Sequence, residues 1–100
     1  MIQEVVITPG QLQVALLGNI FAQEAKGLQA SLTGYINKGH ASISVDLSGV
    51  DYFDGAGLGA LVAIHEQLLK KGGRLEIKGL QGEVKELFVL TGLNKIFEVG

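Results

Sequence analysis

The chain has 100 residues, 47% of them hydrophobic, no cysteine and a formal charge of −2. That length holds one core and not two, the hydrophobic share argues against disorder, and the missing cysteine excludes disulfides and thiolate metal sites. Lysines are scattered with only Lys70 and Lys71 adjacent, so no basic patch invites nucleic acid.

No apolar run approaches the ~18–20 residues that span a bilayer, so direct membrane insertion is not expected. The start, MIQEVVITPG, lacks the basic region of a secretory leader. The expected address is cytoplasmic. Charged residues are only 18% of the chain, so uncharged polar residues must solvate the surface or a partner must cover part of it.

In chain order, the β-branched run Ile2 to Ile7 predicts a strand. Thr8-Pro9-Gly10-Gln11 predicts a type II turn, with Pro presetting φ and Gly accepting a positive one. Leu12, Val14 and Leu16 alternate with polar neighbours, which makes Gln11 to Leu17 the return strand of an antiparallel hairpin. Gly18 to Phe21 then leads into a helix over 22–37, whose Ala25, Leu28, Leu32 and Ile36 repeat at helical spacing. Gly27 and Gly34 each cost this helix roughly 1 kcal/mol relative to Ala, which suggests close packing on a sheet or a marginal helix. Gly39 suits the left-handed position after its end.

The stretch ISVDLSGVDYFDGAGLGALVAIHEQLLKKGGR organises the chain. Ile43, Val45 and Leu47 alternate as a strand, Ser48 to Asp54 reads as an acidic loop, and a long helix follows until Gly72-Gly73. Leu58, Leu61, Val62, Ile64, Leu68 and Leu69 fall on one arc of that helix, with Ala60, Ala63, Glu66, Gln67, Lys70 and Lys71 opposite. Arg74 to Lys78 is a short strand, Glu83 to Thr91 an amphipathic helix stopped by Gly92, and Ile96 to Val99 a last strand. The order β-β-α-β-α-β-α-β, with short connections, predicts one α/β domain over 1–100. It should hold a mostly parallel sheet, an antiparallel N-terminal edge hairpin and packed helices.

Four chemistries compete for the central loop. Gly55-Ala56-Gly57-Leu58-Gly59-Ala60 satisfies the dinucleotide pattern G-x-G-x-x-G/A, and Glu76 lies about twenty residues on. The gap from Ser48 to Asp54 separates that pattern from its strand, and too little chain follows for a second nucleotide-binding half. Asp46, Asp51 and Asp54 fail the calcium-loop spacing and read better as turn formers, with Asp54 capping the helix. No metal or cofactor is expected. His65 falls within the apolar arc and reads as a core or rim side chain with one satisfied nitrogen, His40 as a solvated loop residue. With no Cys and no Ser–His–Asp grouping, nucleophilic catalysis has little support. The remaining reading is a recognition surface. Glycine at 55, 57 and 59 weakens a helix start by several kcal/mol in sum, a cost that makes sense where an adjacent strand or a partner approaches the backbone closely.

V-D-L-S-G-V-D-Y-F-D-G-A-G-L-G-A-L, then K-G-G-R-L-E-I and L-F-V-L-T-G-L-N-K-I-F, resembles the STAS domain of bacterial anti-sigma factor antagonists. The likeness extends back to Gly18 and covers nearly the whole chain. It implies the STAS fold and a partner that is an anti-sigma factor or related serine kinase. In that family the loop reads D-S-[SA]-G-L, and a serine or threonine there is phosphorylated by that partner. Ala56 occupies the usual position and Gly55 the neighbouring one, so no hydroxyl is present and no phosphorylation is expected at either. Phe21 stands where sporulation-type members carry an acid. The resemblance therefore implies a non-catalytic protein binder that meets its partner through Asn19, Phe21, Asp54, Gly55, Ala56, Gly57 and Leu58. Leu58 and Phe21 are the expected apolar anchors. The alternative it implies is a STAS accessory subunit of a membrane lipid-transport ABC complex. Oligomeric state is left open.

Overall fold

The computed structural model describes residues 2–99, the side chains of Gln3, Glu98 and Val99 aside. Five strands form one sheet in the order β1-β2-β3-β4-β5: β1 Ile2–Thr8, β2 Gln11–Ile20, β3 Ser42–Phe53, β4 Arg74–Lys78 and β5 Glu98–Val99. Among the described residues only the β1–β2 pair is antiparallel. The crossovers run through α1 Ala22–Asn37, α2 Gly55–Lys70 and α3 Gly82–Thr91. Strands that are neighbours in sequence are neighbours in the sheet, so right-handed crossovers place every helix on the same face.

The strand patterns record this one-sided cover. Leu12, Val14, Leu16, Ile43, Val45, Leu47, Leu75 and Ile77 are buried beneath the helices. The residues between them, Gln13, Asp46, Glu76 and Lys78 among others, face the bare side. A parallel sheet is usually covered on both faces and apolar on both. Here the polar alternation is what allows one face to meet water. Against the covered face lie Leu28, Leu32 and Ile36 of α1, Leu61, Ile64 and Leu68 of α2, and Val84 and Phe88 of α3.

Two expected strands prove longer than their alternation indicates. β2 continues to Ile20 and β3 to Phe53, so the stretch from Ser48 to Phe53 is strand rather than loop. β3 absorbs two extra residues against β2: the register passes from Ala15↔Asp46 to Leu17↔Gly49, then from Gly18↔Val50 to Asn19↔Tyr52. Each extra residue is a bulge, which flips the inward side chain by one position. The Asp46 carboxylate accepts from Ser48 N–H at 2.9 Å, and the Gln81 amide donates to the Ser48 carbonyl at 3.0 Å. Asp46 and Asp51 therefore lie within β3 and form no turn, contrary to expectation, because the strand runs on through the bulges to Phe53.

Other expectations change with the packing. Gly10 does not adopt positive φ, so the hairpin turn is not type II. Gly27 and Gly34 are exposed, with nothing within 4 Å of a Cβ built on either, so sheet packing does not explain them. On α2, Leu69 is 55% exposed whereas Ala60 is 3% exposed. The buried stripe follows 57, 60–61, 64 and 68, rotated from the arc that the leucines alone define. The last strand starts only at Glu98, because Leu93–Lys95 forms a short 3-10 turn that seats Phe97 in the core.

Candidate partner-binding site

Because β2 and β3 both run on to 20 and 53, their ends lie side by side: Asn19 pairs with Tyr52 and Ile20 with Phe53. Asp54 N–H donates to the Ile20 carbonyl at 3.2 Å, joining the two exits. From there α1 begins after Phe21 and α2 after Asp54. The structure thereby gathers Asn19, Phe21, Asp54, Gly55 and Ala56 at one end of the sheet, beyond the carboxyl ends of β2 and β3.

Asp54 caps α2. Its extended backbone precedes the helix, and its carboxylate accepts from Gly57 N–H at 2.9 Å, satisfying one of the free donors of a helix start. At the head of α1 the arrangement is reversed. The Glu24 carboxylate accepts from Phe21 N–H at 3.1 Å, and Phe21 has no side-chain oxygen to return the bond. That leaves its ring unused by the helix. It is 43% exposed and meets Tyr52, 41% exposed, edge to face with ring centres 6.2 Å apart. Leu17 is also exposed, and a shallow groove runs past Leu17, Gly18, Asn19, Phe21 and Glu24.

The glycines of the first turns of α2 divide into two kinds. A Cβ on Gly57 would collide with the Ile20 carbonyl oxygen and lie 2.8 Å from Phe53 Cδ1. Here the adjacent strands demand glycine. Gly55 and Gly59 are exposed and have nothing within 4 Å, so no contact within the fold requires them. Ala56 is exposed beside Gly55. Leu58 is 8% exposed and belongs to the core. It is no surface anchor, and the exposed apolar groups at this end are Phe21, Tyr52 and Leu17. Residues 17–24 and 48–59 contain Glu24, Asp51 and Asp54 and no lysine or arginine, so this end is acidic around an aromatic centre.

The competing chemistries read differently in three dimensions. β3 ends one residue before the Asp54 cap, so the strand-to-glycine gap raised against the dinucleotide pattern does not exist. Two other features oppose that pattern. The strand order never reverses, so there is no crevice at a switch point, and the Asp54 carboxylate already occupies Gly57 N–H. Among the described residues no three His, Asp or Glu side chains are placed to hold a metal ion. His65 is half-buried and packs edge to face on Phe97, ring centres 5.3 Å apart. Its buried Nδ1 finds no hydrogen-bond partner among the described residues.

Tyr52 and Leu17 escape a reading of the sequence. Tyr52 sits in what reads as a loop, and its pairing with Asn19 depends on two bulges that no local pattern announces. The visible signal was the Val50 and Phe53 spacing after Leu47, which continues the apolar series at intervals of three.

Residues 3–100 match the STAS domain. The anti-sigma-B factor antagonist of Bacillus subtilis is 32% identical over 88 residues, covering 88% of this chain and 80% of that protein. The crystal structure of an anti-sigma factor antagonist from Mycobacterium paratuberculosis superposes with a TM-score of 0.85 at 26% identity, over 99% of this chain and 85% of that one. The Bacillus cell fate determinant SpoIIAA in its phosphorylated form shares the fold at a TM-score of 0.79 and 17% identity, over 100% of this chain and 91% of that one.

Proposed function

The chain belongs to the STAS domain family, and on that premise we propose that it is a non-catalytic regulator that binds an anti-sigma factor or related serine kinase. The binding surface is the end of the sheet where β2, β3 and the starts of α1 and α2 meet. One observation carries this reading: the exposed Phe21–Tyr52 pair lies at the same end as a helix start whose Gly55, Ala56 and Gly59 leave the backbone open to close approach. Aromatic side chains with apolar bodies are the usual energetic centres of protein interfaces, and glycine is the residue that lets another surface reach the backbone.

The same surface works without the phosphate switch. Positions 55 and 56 offer no hydroxyl. A phosphoryl group there would add about −1.5 to −2 charges to an end that already carries Glu24, Asp51 and Asp54. The chain is therefore held in its binding state at this loop, and release has to come from elsewhere.

Testing takes two stages. Affinity capture from the native cell identifies the partner, expected to be an ATP-binding anti-sigma factor. Recovery of a transporter ATPase subunit would instead favour an accessory role in lipid transport. The partner is then mixed with ATP, and mass spectrometry should find 55–56 unmodified and the complex intact. Ala56→Glu should weaken the complex by bulk and charge. Binding undiminished by Ala56→Glu would place the interface elsewhere and overturn the reading.

A further inference from the structure

The sheet ends very differently on its two sides. One edge is β5, two residues long; the other is β1, seven residues long and, among the described residues, paired on one side only. Edge strands of soluble proteins are usually protected by lysine, by proline or by a bulge. β1 has neither lysine nor proline, its one charge is Glu4, and its bulge lies at its start, between Ile2 and Glu4. From Glu4 to Thr8 the pairing with β2 is regular. Val6 is 40% exposed on the bare face of the sheet, and Ile7 is 61% exposed on the helix side.

We propose that this edge docks a second copy of the chain, strand to antiparallel strand, in a register centred on Val6. Thr8 and Gln11 close a two-residue turn, so the even-numbered residues of β1 bond to β2 and the backbone groups of Val5 and Ile7 point outward. A two-fold axis at Val6 then sets Ile7 opposite Val5 of the second copy, Thr8 opposite Glu4, and Val6 opposite Val6. Every outward backbone group of Val5 and Ile7 finds a partner, the exposed valines meet on the bare face, and no like charges oppose each other. Main-chain bonds supply affinity in such strand addition, with alternate side chains setting register. The contact joins two sheets into one continuous sheet and leaves Phe21, Tyr52 and Ala56 uncovered, so it stands or falls independently of the partner reading.

Sedimentation velocity of the full chain, from about 1 μM to about 1 mM, tests this directly. The expected result is a monomer–dimer equilibrium, with amide exchange at Val5 and Ile7 slowing as concentration rises. Val6→Lys sets two ammonium groups opposite each other and should raise the dissociation constant more than about tenfold. Its site is exposed on a polar face, and an unchanged melting temperature at low concentration verifies the monomer fold. Thr8→Lys, placed opposite Glu4, should tighten the dimer. A chain that stays monomeric to about 1 mM, or a dimer indifferent to Val6→Lys, overturns the proposal.

Discussion

Gly57 and Gly59 stand two residues apart on the same helix and have opposite surroundings. At Gly57 the obstacle is internal: the Ile20 carbonyl and the Phe53 ring occupy the space a Cβ needs. At Gly59 nothing lies within 4 Å, so the fold gains nothing from the missing side chain. The first glycine records how the domain is built; the second, under the proposed function, leaves the helix start open to a partner. Both belong to the alternating glycines at 55, 57 and 59, and only their surroundings separate them.

Four substitutions break or sharpen that contrast. The largest expected effect is Gly57→Ala, which forces the start of α2 off the ends of β2 and β3 and should cost roughly 2–4 kcal/mol in urea denaturation. A neutral result would dissolve the distinction. Next is Phe21→Ala. Phe21 is 43% exposed, so stability should fall by only about 1–1.5 kcal/mol, whereas partner affinity, read by calorimetry, should drop about tenfold or more. Asp54→Ala removes the only side-chain acceptor at the head of α2 among the described residues and should cost about 1 kcal/mol of stability. The smallest effect has the opposite sign. Gly59→Ala should stabilise the isolated domain by about 0.5–1 kcal/mol through helix propensity while weakening the complex. A gain in stability with unaltered binding would make Gly59 merely tolerated.

What the sequence reveals follows the range of the interaction. The Asp54 cap was readable because its acceptor and donor lie three residues apart. The core of β3 was readable because Ile43, Val45 and Leu47 keep the two-residue period. Beyond Leu47 the period breaks. Two bulges space the next buried residues, Val50 and Phe53, three apart, and a broken period reads as loop. With the strand lost, so was Tyr52, whose place beside Asn19 and Phe21 exists only in the paired sheet. Leu58 failed differently. Its hydrophobicity was evident, but whether the first turn of α2 aims it inward or outward depends on Gly57 sitting flush against the strands. Gly27 and Gly34 carry no such cause within this fold, and nothing in the structure explains them.

The seating of Gly57 and the Asp54–Ile20 hydrogen bond also bear on how fast the proposed surface would engage a partner. A helix start locked to two strand ends has little conformational freedom left to lose when it is contacted. Encounter should then proceed as the docking of two finished shapes, at about 10⁵–10⁷ M⁻¹s⁻¹, without a slow rearrangement step. Differences between one partner and another, and between wild-type and variant, will reside in how long the complex lasts.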